Sequence, residues 1–286
     1  MLRTNTDRVR QCDETNLSPG LLSVSFLNSL EDTSVNHLAV TFVGDADLTF
    51  SGALFDGDGD YVSVADFDYE TGGAFSISFW MTKEDCTGGI YEYLYSHMTS
   101  TGADAWSTSS LNVYLGCEAS GGGFSTVGGT IIRFNVMDTT GAPTGNPMFD
   151  FPVHEAGDFD SVTNVWVHVV WGVSTTSMKT WDDGMSISDT GCTASTVGTD
   201  GCPYHFYNDA ATQAQDPAYP QPSALTAPLA GFDFGAGDIH LGSRADHEAN
   251  LHFRGKIALV SVYDYVVTNT QAMCLFRGGD AALPDP

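Results

Sequence analysis

Val165-Trp166-Val167-His168-Val169-Val170-Trp171 carries apolar side chains on both of its alternating faces. Successive strand residues point to opposite sides. Val165, Val167, Val169 and Trp171 therefore line one face, and Trp166, His168 and Val170 the other. Such a run belongs in the middle of a two-layer sandwich. On either side of it the same period of two recurs. Leu22, Val24 and Phe26 alternate with Ser23, Ser25 and Leu27, and Phe75, Ile77 and Phe79 alternate with Ser76, Ser78 and Trp80, as in half-buried strands. Further strands are expected at Ala53–Phe55, Tyr61–Val64, Tyr91–His97, Leu111–Leu115, Thr130–Val136, Met178–Trp181, Met185–Ile187, Ile239–Leu241 and Lys256–Tyr263. Asp183-Gly184 is a strong short hairpin signal, and Gly88-Gly89, Gly121–Gly123 and Gly128-Gly129 punctuate the middle of the chain. No segment holds a sustained helical period, and the best short helix is Thr268–Phe276.

Composition agrees with an all-β reading. The chain has 286 residues, 42% of them hydrophobic and 12% aromatic, enough for a sizeable core in one unit. Its 31 glycines, with many Ser, Thr and Asp, suit turns better than long helices. Acidic side chains number 36 against 10 basic ones, a net charge of -26. That field repels phosphate backbones and anionic lipid heads, which excludes nucleic acid as a partner. Divalent cations suit it, and maintenance of solubility is the plainer explanation. No run of about 18 apolar residues exists to insert into a membrane.

The six cysteines are scattered, with no CxxC pair to suggest a zinc cluster. They read as three disulfides in an exported protein. Of the fifteen pairings, the expected set is Cys192 with Cys202, Cys86 with Cys117, and Cys12 with Cys274. Residues 1–19 hold Arg3, Arg8 and Arg10, the sequon Asn16-Leu17-Ser18 and no apolar stretch, so they are not a secretion signal as they stand. Either a signal was removed before this numbering begins, or export is the wrong inference; the alternative to an extracellular setting is another oxidising lumen. Residues 1–19 are taken as an extension, 20–278 as one sandwich and 279–286 as a tail. Within the sandwich, residues 189–237 contain Pro203, Pro217, Pro220, Pro222 and Pro228 with little alternation, and form a long loop insertion.

Three segments, in order, resemble the laminin-G-like jelly roll of the concanavalin A-like lectin/glucanase superfamily. The first is Ala53-Leu54-Phe55-Asp56-Gly57-Asp58-Gly59-Asp60-Tyr61-Val62-Ser63-Val64, followed by Phe75-Ser76-Ile77-Ser78-Phe79-Trp80-Met81. The second is Trp166–Trp171 followed by Met178–Gly184. The third is Ile239-His240-Leu241-Gly242-Ser243-Arg244 followed by Phe253–Tyr263. The resemblance covers residues 20 to 278. It implies two antiparallel sheets of six or seven strands packed face to face, and binding of glycans, proteins or calcium. Enzymes share this fold, so it does not decide function by itself.

Asp56, Asp58 and Asp60 alternate with glycine as in a calcium loop, although Tyr61 and Phe67 stand where an EF-hand needs Gly and Glu. Carboxylates on one tight turn repel one another unless a cation intervenes. Calcium is thus the candidate ion, with Asp264, after the last long strand, as a fourth ligand; a solvated turn is the alternative. Asp66, Asp68 and Glu70 form an acidic row like the paired carboxylates of glycosidases, but in a loop and without the glucanase motif. His247-Glu248 with His252 has the wrong spacing for a zinc protease, and no GxSxG occurs. His168, among apolar neighbours, reads as a hydrogen-bonded structural histidine. Trp106, Tyr204, Phe206, Tyr207 and Tyr219 lie in loops, where aromatic faces either stack on sugars or anchor the loop to the sandwich. The expected function is a non-catalytic extracellular or cell-surface module for binding or adhesion, recognising a glycan or protein partner with calcium assisting. The alternative is an accessory subunit of a larger extracellular or lumenal assembly, docking through its insertion.

Overall fold

The computed structural model describes residues 20–27, 29–83, 91–98, 110–117, 130–137, 148–153, 166–175, 178–182, 185–186, 231–246, 251–280 and 282–283. In chain order its strands are β1 (Leu22–Val24), β2 (Val40–Val43), β3 (Asp47–Thr49), β4 (Gly52–Asp56), β5 (Tyr61–Val64), β6 (Ala74–Lys83), β7 (Glu92–Met98) and β8 (Ser110–Cys117). There follow β9 (Thr130–Met137), β10 (Met148–Val153), β11 (Val167–Ser174), β12 (Met178–Asp182), β13 (Met185–Ser186), β14 (Ile239–Leu241), β15 (Arg254–Tyr263) and helix α1 (Asn269–Asp280). They form two antiparallel sheets. One runs β13-β12-β11-β6-β15-β4-β3, with β1 also on β15, and the other runs β10-β9-β8-β7-β14-β5-β2. The expected two-sheet β-sandwich is therefore present.

The core lies between the layers. β11 pairs with β6 so that Trp171 faces Ile77 and Val169 faces Phe79. Trp171 stacks on Phe134 of the opposite sheet at 5.0 Å, and meets Phe75 edge-on at 5.7 Å. Val62, Val64, Leu111, Val113, Ile132, Ile239 and Leu241 fill the facing layer. The second apolar face of β11 has a different cause from the one read in the sequence. Its Val170 packs with Tyr263, Val267 and Ala272 beneath α1. The helix covers the outside of that sheet, so β11 is apolar on both sides. Its start is a capping box: Thr268 accepts the Gln271 N–H, and Gln271 accepts the Thr268 N–H. It runs past the expected end at Phe276 to Asp280.

Three strands were absent from the sequence reading. β10 contains Pro152, which cannot donate to a ladder, and it sits at the sheet edge where that loss is tolerated. β2 and β3 are short edge strands with mixed exposure and weak alternation. The register of β15 shifts between Ala258 and Ser261, which lets the strand leave β4 and join β1. At this bulge Leu259 takes φ 51° and donates its N–H to Ser25 O. Gly242 adopts φ 86°, and a Cβ there would lie 2.5 Å from the Phe55 ring.

At one end of the sandwich Lys83 and Glu92 form a fully buried ion pair at 2.5 Å. Lys83 Nζ also donates to Arg254 O, and Glu92 accepts the Arg254 N–H. The pair joins the two layers, because β6 and β7 belong to different sheets. Cys274, on α1, is disulfide-bonded. Its partner lies outside the described residues, as do Cys12, Cys86, Cys192, Cys202 and the Cys117 side chain. The turn residues Asp183 and Gly184 also lie outside them, although β12 and β13 pair with Asp182 opposite Met185. Among the described residues no helix is long and apolar enough to cross a membrane.

Candidate functional site

The turn after β2, the end of β4 and the start of β5 converge at one edge of the sandwich. Asp45, Asp56 and Asp60 each place one carboxylate oxygen within 4.8 Å of the others. Oxygens bind calcium at about 2.4 Å, so three of them at this spacing fit around a single ion. Asp60 is 1% exposed; its Oδ1 accepts the Asp45 N–H at 2.8 Å and its Oδ2 the Asp56 N–H at 3.1 Å. Burial pushes its carboxyl above the usual range, and the neighbouring Asp45 and Asp56 add to this against the backbone donors. Asp45 and Asp56 are exposed. The group joins residues distant in sequence because β2 pairs with β5, with Val43 opposite Tyr61.

Asp58 is exposed, and its N–H caps Asp56 Oδ1 at 2.7 Å. It supports the turn and is not one of the three converging carboxylates. Asp264 is set apart from them. Asp56 stands opposite Arg254 at the start of β15, whereas Asp264 follows Tyr263 at its end. At about 3.3 Å per residue, a ten-residue strand separates them by roughly 30 Å. Asp45, which the sequence reading did not single out, takes the third place. Nothing local marks it, because only the β2–β5 pairing brings it to Asp60.

The outer face of the second sheet carries a polar row. Thr41, Ser63 and His240 are cross-strand neighbours there, followed by Ser96 and Asn112. The row sinks from exposed Thr41 through half-buried Ser63 to Ser96 at 0%. Tyr61 stacks on His240 at 4.7 Å, and Ser63 donates to exposed Asp238 at 2.7 Å. Ser96 Oγ donates to Asn112 Oδ1 and accepts the Ala245 N–H. The accessible part, Thr41, Tyr61, Ser63 and Asp238, thus combines hydroxyls, an aromatic ring and a carboxylate. Asp238 and His240 are further residues that the sequence reading did not name as ligands; the lone polar position inside Ile239-His240-Leu241 was their only signal.

The acidic row between β5 and β6 is committed to structure. Glu70, 4% exposed, accepts the N–H groups of Tyr69 and Phe234, and burial raises its pKa. Asp68 caps Thr71. Asp66 Oδ1 lies 3.3 Å from His97 Nε2, whose other nitrogen meets the Tyr69 hydroxyl at 3.0 Å. Burial pushes the His97 pKa down to about 4. His252 is buried, while His247 and Glu248 lie outside the described residues, as do Trp106, Tyr204, Phe206, Tyr207 and Tyr219.

No protein-family model and no curated protein matches this chain. Solved structures do. The botulinum neurotoxin serotype D binding domain superposes with a TM-score of 0.56 at 14% identity, over 91% of this chain and 52% of that one. The botulinum neurotoxin type G receptor binding domain gives 0.54 at 12% identity, over 91% and 51%. The binding domain of botulinum neurotoxin DC in complex with SialylT gives 0.53 at 13%, again over 91% and 51%. The chain spans about half the length of these neighbours. At such identities the common property is the fold: this chain shares its two-sheet sandwich with one half of the neurotoxin binding domains.

Proposed function

We propose that the chain is a non-catalytic extracellular module that recognises glycans through the β2–β5 edge, with calcium held by Asp45, Asp56 and Asp60. The observation carrying this reading is the strip of Thr41, Tyr61, Ser63 and Asp238 lying on and beside β2 and β5, the two strands whose adjoining ends hold two of the clustered carboxylates. A cation there relieves the mutual repulsion of the carboxylates, and through β5 it fixes the position of Tyr61, next in sequence to Asp60. A few polar groups around an aromatic face are what a small-molecule site needs for orientation. The fold shared with domains described as receptor-binding supports a recognition role. The structural use of Glu70, Asp68 and Asp66 supports the absence of glycosidase chemistry. The disulfide at Cys274 fits an oxidising, extracellular setting.

The test is a glycan array probed with and without a calcium chelator, alongside Asp45→Asn. Binding that needs calcium and falls in the variant supports the reading. Absence of binding under every condition refutes it, and binding indifferent to chelator removes calcium from it.

A further inference from the structure

Resting on that glycan reading, we infer that the β2–β5 strip selects uncharged glycans and rejects sialylated, sulfated or otherwise anionic ones. Its accessible groups are two hydroxyls, an aromatic ring seated on His240, and the carboxylate of Asp238. Carboxylates accept hydrogen bonds and cannot donate them when ionised. A neutral sugar brings hydroxyl donors for Asp238 and an apolar ring face for Tyr61. An anionic sugar instead needs a cation or a set of charge-assisted donors.

The described surroundings supply no such cation. Asp66 lies close enough to both Asp238 and Asp68 for their charges to raise its pKa, beyond the larger effect of its own burial. Arg244, which follows β14, is bound through Nε and Nη2 to the two oxygens of Asp246, each at 2.7 Å, so its charge is answered within the chain. Arg254 stands opposite Asp56, beside the three-carboxylate cluster. A divalent ion bound there brings two charges against three carboxylates, so even with Arg254 the site gains no net positive charge. The chain as a whole, at -26, adds long-range repulsion in the same direction.

The experiment compares binding of the full chain to immobilised neutral glucan, mannan and galactan with binding to sialylated and sulfated glycans, in calcium and about 0.15 M salt. The expected result is retention on at least one neutral polymer, with anionic glycans bound at least about tenfold more weakly. Asp238→Lys should narrow that gap by raising binding to the sulfated polymer. Equal or stronger binding to anionic glycans overturns the inference while leaving the glycan reading intact. So does a gap that Asp238→Lys leaves unchanged. Absence of binding to every glycan, with retention on polylysine, overturns both and points to a basic protein partner.

Discussion

His168→Gln is expected to make the protein less sensitive to acid. His168 is 0% exposed, accepts or donates at 3.0 Å to Ser78 Oγ, and lies against Trp80 and Phe276 beneath α1. Burial pushes its pKa down to about 3, against about 6.5 in an unfolded chain. The unfolded state therefore takes up a proton as the pH falls through 6.5, and the folded state does not until near 3. At about pH 5 protonation favours the unfolded chain by roughly 2.1 kcal/mol, against about 0.2 kcal/mol at pH 7. Wild type should lose roughly 2 kcal/mol from this residue between those pH values. Gln at 168 carries its packing cost at both pH values and loses none of the titrating part. The stability gap between wild type and variant should thus shrink by roughly 2 kcal/mol on acidification. Urea unfolding at both pH values reads this as the difference between the two proteins. Asp60, Asp66 and Glu70, whose raised pKa values act in the opposite direction, cancel in that difference. A gap of equal size at pH 7 and pH 5 would refute the argument that burial holds His168 neutral.

Lys83→Met alone leaves Glu92 charged and buried, and should cost about 3–5 kcal/mol in chemical unfolding; adding Glu92→Leu should recover much of it. Trp171→Ala removes the ring that meets Phe75 and Phe134 and should cost about 3–5 kcal/mol, read as a lower urea midpoint with an unchanged slope. Calcium at about a hundred times its dissociation constant should stabilise the chain by roughly 2.7 kcal/mol in thermal unfolding, and Asp45→Asn should diminish that shift. Gly44→Ala should abolish most of it, because the new Cβ at φ 79° would lie 2.5 Å from Asp60 Oδ1.

Strong alternation was readable where one face met the core and the other was partly open, as in Tyr61–Val64. Phe75–Trp80 alternates too, but it is buried on both faces and not half-buried as expected. Its outer residues Ser76, Ser78 and Trp80 lie under the C-terminal segment, with Trp80 stacked on Phe276 of α1. The edges were not readable, because short strands such as Asp47–Thr49 and the proline-bearing Met148–Val153 carry too few buried positions to show a period. The carboxylate site was half legible. Asp56 and Asp60 share one turn and announce themselves, while Asp45 joins them only through strand pairing. Asp264 looked equivalent because a long strand ends just before it, and sequence alone does not reveal which end of that strand faces the turn. The double apolar face of the Val167–Trp171 run was correctly seen as buried on both sides, but its outer cover is α1, whose short amphipathic pattern gave no hint of where it docks.

β15, near the C-terminus, lies between β6 and β4 and also receives β1; β14 lies between β7 and β5. Both layers are thus left with an interior gap until residues 239–263 have been synthesised. Premature termination ahead of Ile239 would leave unsatisfied ladder groups in the middle of each sheet, a state suited to chaperone capture or aggregation and not to a shortened native form. Joining the first described strand to the last also fixes a high contact order, so maturation of the nascent chain should be slow and concerted.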